Sequence, residues 1–292
     1  MSADRLTLPQ PDRIVDGVLA VLAGADLTMI AARTMMDPAD LADALEVYQD
    51  AGRAALQQRA ERDWYQVRVR FPAWEAAETI GAQRLGPCLD RLQADGAMTG
   101  WWFLRKHPCW RVRFHNADTA TVNDVLTELT ATGVIDRWWP TIYEPESAAF
   151  GGHDGMTIAH TLFCQDARGV LDYARQDSPG LGRRELSLLL LNELLRSAGL
   201  DTFERGDVFA QVAALRPTPA PGDQNKIEDL AAKVTIPLSI PRVADSSLFA
   251  ANGPIAHAAP WLEAFRTAGH CLGEAAAQGL LDRGIRAILT HV

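Results

Sequence analysis

The sequence predicts an α+β protein built on an antiparallel sheet, from three observations: one strand-like alternation, a turn-linked pair of strand-like runs, and helical spacing between them. Residues 64–71, Trp64-Tyr65-Gln66-Val67-Arg68-Val69-Arg70-Phe71, alternate with period two, and Pro72 closes the run. Residues 98–104 and 110–114 are two further strand patterns separated by the turn-like Lys106-His107-Pro108. The spacing predicts a helix over 74–95, with Gly86-Pro87 as a kink or break. A second helix covers 119–132, with Asp118 or Thr119 as N-cap and Gly133 as terminator. A fourth strand over 135–143, ended near Pro140, completes βαββαβ across 64–144, the ferredoxin-like order.

The flanks read as helical. Residues 14–22, 27–35 and 38–56 give three short helices, with Asp37-Pro38 a start signal, and this module (1–61) resembles a helix-turn-helix. It carries five arginines against nine carboxylates up to residue 60, which discourages nucleic-acid contact. After the core (62–150), residues 151–292 form a mostly helical part, with helices at 154–174, 183–199, 260–277 and 280–290 and further packing at 209–215. Prolines make 216–222 an extended loop, and Pro237, Pro241 and Pro254 predict irregular chain apart from 225–233. The pattern from 285 to 292 stops where a helix is still expected to run.

At 292 residues and 48% hydrophobic content the chain can bury a large core. A net charge of -9 argues against a binder that tracks phosphates. Cys88, Cys109, Cys164 and Cys271 lack Cys-x-x-Cys spacing, so reduced, mostly buried thiols in a cytoplasmic protein are expected rather than a metal site. No signal peptide and no apolar run of membrane-spanning length is present.

The basic residues therefore matter locally. Alternation puts Arg111 and Arg113 on one face of their strand, and Arg68 and Arg70 on one face of theirs. In the predicted order these strands are central neighbours, so the four guanidiniums are expected to converge, with Arg105 joining from the hairpin arm. A planar guanidinium meets a carboxylate in two parallel hydrogen bonds and stays charged, so the cluster reads as an anion site. Of each pair Trp101-Trp102 and Trp138-Trp139, one member is expected in the core and the other exposed or under a helix.

Two segments taken together resemble a known family: residues 101–114, with Phe103-Leu104-Arg105 ahead of His107-Pro108 and Trp110-Arg111-Val112-Arg113-Phe114, and Tyr143-Glu144-Pro145-Glu146 leading to Phe150-Gly151-Gly152. They are similar to the C-terminal elimination domain of class I lantibiotic dehydratases, also found as stand-alone thiopeptide-type bacteriocin biosynthesis proteins. The resemblance covers about residues 62–292. It implies expulsion of glutamate from glutamylated Ser or Thr of a ribosomally made precursor peptide, giving dehydroalanine or dehydrobutyrine. It also implies a separate tRNA-dependent glutamylating subunit as partner and no cofactor; a homodimer is compatible with the chain. A sister branch implies the rival activity, pyridine formation by cycloaddition of two dehydroalanines with leader release.

β-Elimination needs a base for the Cα proton, donors for the developing enolate oxygen, and a holder for the departing carboxylate. Arg111 and Arg113 are the expected catalytic cations, with Arg68, Arg70 and Arg105 binding substrate. Tyr143 offers its hydroxyl, and Glu144 and Glu146, two apart on an extended segment, can pair with the arginines or steer a peptide amine. His153, after the glycine turn, and His291, near where the family's His-x-x-Asn-Arg-like stretch is expected, are the candidate histidines; neither they nor His257 and His270 are followed by Asn-Arg. A non-catalytic peptide-binding subunit and a transcriptional regulator remain open as readings from other classes.

Overall fold

The computed structural model describes residues 11–61, 63–216, 224–239 and 246–292. The segment 217–222 of the expected proline loop and Pro241 lie outside the described residues. The chain forms two compact units, 1–62 and 63–292.

The first unit holds α1 (Pro11–Leu22), α2 (Leu27–Thr34) and α3 (Pro38–Glu61). Asp26 caps α2 by accepting the Met29 amide at 3.0 Å, as a short carboxylate does at a helix start. Val18, Ile30, Ala31 and Leu41 are its small core.

In the second unit β1 (Trp64–Arg70), β2 (Gly100–Lys106), β3 (Cys109–His115) and β4 (Arg137–Thr141) form one antiparallel sheet in the order β2-β3-β1-β4. Between β1 and β2 the helical stretch is α4 (Ala77–Ile80), a π-helical turn at Gly81–Leu85, and α5 (Gly86–Ala94). The wide turn sits where Gly86-Pro87 was expected to kink the helix, because proline lacks an amide and crowds the preceding turn. Gly81 is needed there: a Cβ would collide with the Trp110 indole. Between β3 and β4 runs α6 (Thr119–Ala131), whose first turn donates from the Ala120 amide to Asp118 at 3.1 Å.

One face of the sheet, with Val67, Val69, Trp101, Trp110, Val112 and Phe114, is buried with Leu85, Leu89, Val122 and Leu126 of the helices between strands. Trp101 (1% exposed) and Trp102 (9%) lie on opposite faces, Trp101 in the core between the sheet and the helices that link its strands and Trp102 under the helix that carries Phe163.

The rest is α7 (Gly152–Ala174), α8 (Arg183–Ser197), α9 (Thr202–Ala214), α10 (Gln224–Ser239), α11 (Ala259–Ala277) and α12 (Ile285–Leu289). Helix α10 continues through Pro237, where irregular chain was expected. Leu186, Leu190 and Leu194 of α8 pack with Leu162 of α7 and Trp261, Phe265 and Leu272 of α11 in a second core. Thus α7 bridges the two cores: its Ala167 and Leu171 belong to the sheet side. Positive φ at Gly151 (81°) and Gly152 (92°) turns the chain into α7, and a side chain at either glycine would collide with Ile288 or Asp282.

Candidate functional site

Cross-strand partners point to the same face of a sheet, so the register sorts the arginines. On the face opposite the helical core, one row runs Thr141, Gln66, Arg113, Trp102 across β4, β1, β3 and β2. The next row runs Trp139, Arg68, Arg111, Leu104. Helix α7 lies over the first row, with the Phe163 ring 4.7 Å from that of Trp102. The second row stays open: Arg68 and Leu104 are exposed and Arg111 is half-buried.

Arg113 sits at the boundary and is only 6% exposed. Its Nε donates to Gln66 Oε1 at 2.8 Å, and its guanidinium lies 4.0 Å from the Trp102 ring centre and 4.5 Å from that of Tyr143. Gln66 in turn donates to Thr141 Oγ1 (2.8 Å) and the Ile142 carbonyl (2.7 Å), so one buried amide ties Arg113 to the segment carrying Tyr143. The Arg113 Nη1 is buried with no hydrogen-bond partner. Burial lowers its pKa to about 10, Tyr143 and Glu146 pulling upward and Arg111 downward. A buried donor left unsatisfied is costly, and here it belongs to a cation held in place by an amide and two rings.

Arg68 and Arg111 face each other directly across β1 and β3. Among the described residues neither has an ion-pair partner, although like charges directly opposite repel. Three guanidiniums with no ion-paired carboxylate among the described residues therefore line one patch of an acidic protein.

Above this patch, the Tyr143 hydroxyl is 2.8 Å from His160 Nε2. His160 projects from α7, and its ring centre is 4.4 Å from that of Trp64, which also lies 4.8 Å from the His115 ring. Burial pushes the His160 pKa down to about 4, with His115, Arg113 and His153 acting in the same direction. His115 is also lowered, by burial against the opposing pull of Asp63. The site thus joins fixed cations to an imidazole kept neutral at ordinary pH.

The expected convergence is corrected in part. Arg105 pairs in register with Trp110, so it lies on the opposite face, and its guanidinium binds Glu78 of α4 together with Arg183. Arg70 shares the face of Arg68 but lies at the strand end, bound to Asp136. Glu144 and Glu146 are exposed on alternate positions, and Glu146 acts on Arg113 electrostatically. His153 is exposed in the first turn of α7, where it acts electrostatically on His160. His291 instead faces Arg283, with 3.4 Å between ring nitrogen and guanidinium.

Sequence reasoning missed His160 and Gln66. His160 follows His153 by seven residues, two helical turns, so the two share a helix face, and Gln66 precedes Arg68 by one strand period. Among the described residues no His, Cys, Asp and Glu cluster suits a metal ion, and no helix is long and apolar enough to cross a membrane. The cysteines are free; Cys109 is buried, Cys88 and Cys164 are half-buried and Cys271 is exposed.

An antiparallel sheet with helices on one face and a cluster of arginines beside a long helix on the other defines an α+β protein. Residues 64–284 match the family described as lantibiotic biosynthesis dehydratase C-term, and the chain belongs to that family. Its fold is similar to the tRNA-dependent lantibiotic dehydratase MibB from Microbispora sp. 107891, at 17% identity and a TM-score of 0.58, over 78% of this chain and 25% of that one. It is also similar to TsrL, at 18% identity and a TM-score of 0.52, over 75% of this chain and 70% of that one. The chain thus spans a quarter of the length of MibB. A search of curated proteins finds no match.

Proposed function

We propose that the protein expels glutamate from glutamylated Ser or Thr of a precursor peptide, after a separate tRNA-dependent subunit has attached it. The observation that carries this reading is the unpartnered Nη1 of buried Arg113, beside the unpaired Arg68–Arg111 couple. Elimination places negative charge first on the carbonyl oxygen next to Cα and then on the departing carboxylate. A fixed buried donor suits the first, because it is already oriented and water is excluded around it. The two opposed guanidiniums suit the second, which needs bidentate capture without loss of a proton. Arg70 and Arg105, bound to Asp136 and Glu78, are left outside this role. Family membership supports work in lantibiotic-type biosynthesis.

The test is incubation with a precursor peptide already carrying glutamyl esters, followed by mass spectrometry. Loss of glutamate with one dehydroamino acid per ester is expected, and unchanged ester overturns the reading. Ring formation and leader release from an already dehydrated peptide would assign cycloaddition instead.

A further inference from the structure

We propose that Tyr143 and His160 form a proton-transfer pair, in which the Tyr143 oxygen takes the Cα proton while its own phenolic proton passes to His160 Nε2. This rests on the elimination reading and supplies the base that reading needs. Four observations carry it. The two atoms are 2.8 Å apart, within direct transfer distance. His160 is flanked by Trp64, whose tilted ring has its centre 4.4 Å away and favours the imidazolium once formed. The Arg113 guanidinium lies 4.5 Å from the Tyr143 ring centre and favours negative charge on that phenol as its proton leaves. Finally, His291 is engaged with Arg283, His153 is exposed and His115 meets Thr99 Oγ1 at 2.7 Å, whereas His160 is the histidine hydrogen-bonded to Tyr143.

The charged and titratable groups acting on His160 are His115 and Arg113 from β3, His153 from α7 itself, and Tyr143 from the chain after β4. None of these is a carboxylate, which keeps the imidazole neutral, and the proposed pair requires the Nδ1–H tautomer, whose Nε2 accepts from the phenol. In the reaction the Cα–H bond breaks to Tyr143 Oη, and the Tyr143 O–H bond breaks to Nε2. The Cα electron pair becomes the Cα=Cβ bond, and the Cβ–O bond breaks with its pair on the departing carboxylate. The imidazolium returns its proton to solvent through the same phenol after the product leaves. Tyr143 is the catalytic group, and His160 is a positioning residue acting through it.

The first measurement uses the full chain alone, by nitrogen-15 NMR of its histidines. We expect His160 as the Nδ1–H tautomer at neutral pH, and Y143F to move its Nε2 resonance and raise its pKa. An Nε2–H tautomer, or no response to Y143F, overturns the pair. The second uses the glutamylated peptide: Y143F and H160Q are expected to lower kcat about 100-fold or more with KM retained. Glutamate release at an undiminished rate by Y143F overturns the pair alone. A wild-type protein that releases no glutamate overturns the elimination reading and the role of the pair with it.

Discussion

The two faces of the sheet treat arginine in opposite ways. On the helix-covered face Arg105 meets Glu78, which also binds Arg183, and these hydrogen bonds, Arg183 first, hold the Glu78 carboxyl below its usual range. On the other face Arg68, Arg111 and Arg113 lie within one register step of each other with no carboxylate bound to them among the described residues. Evolution of stability alone would pair or remove such charges. The lesson is that an arginine's partner, more than its presence on a strand, separates a structural cation from one available to a ligand.

Five experiments put that contrast at risk. The largest effect belongs to the packed face: W110A empties a site that is 1% exposed and should cost about 3–5 kcal/mol in urea unfolding. Next comes pH. An unfolded histidine titrates near 6.5, whereas His160 resists protonation down to about 4. Between these values the unfolded chain binds a proton that the native chain refuses, so stability falls as pH drops, by on the order of 3 kcal/mol in full. His115 adds to the same trend. H160Q should flatten the slope in denaturant titrations run from pH 7 to 4.5; an unchanged slope removes His160 as its source.

On the open face R111L is expected to lower glutamate release about 100-fold, equal to about 2.7 kcal/mol, while stability stays within ~0.5 kcal/mol. A stability loss that accounts for the lost turnover would make Arg111 structural. Asp166 of α7 offers a smaller effect of opposite sign. Burial pushes its pKa up to about 6, against Trp261, which donates to it at 2.9 Å, and the charge of Arg105. Its native form keeps a proton that the unfolded chain releases near 3.8, so its contribution is present at low pH and is lost as pH rises to about 6. D166N keeps an acceptor for Trp261 and should gain about 1–2 kcal/mol at pH 7 by thermal or urea unfolding. The smallest effect is R105L, expected to cost at most ~1 kcal/mol and to leave glutamate release unchanged. A large loss of release there would erase the distinction between the faces.

Much of this frame was legible in local pattern. The alternation of Trp64 to Phe71 and of Trp110 to Phe114 gave the strands, because a strand's side-chain period is two whatever surrounds it. The signals Asp37-Pro38, Asp118 and Gly151-Gly152 marked helix ends for reasons confined to a few residues of backbone. Pro237 misled, since α10 accommodates it where a breaker was expected. Between the exposed and the helix-covered place open to Trp102, α7 decides for the second by burying that face of the sheet.

By itself, then, the sequence determined the helices and strands, the shared face of Arg111 and Arg113, and the motif pair that resembles the family. Which arginines keep company depends on contacts between distant segments. The register turned Arg105 away and set Gln66 beside Arg113, and α7 brought His160 to Tyr143 across 17 residues of chain. Periodicity is a property of neighbours along the chain, whereas partner, burial and protonation state follow from contacts between segments that no local pattern specifies.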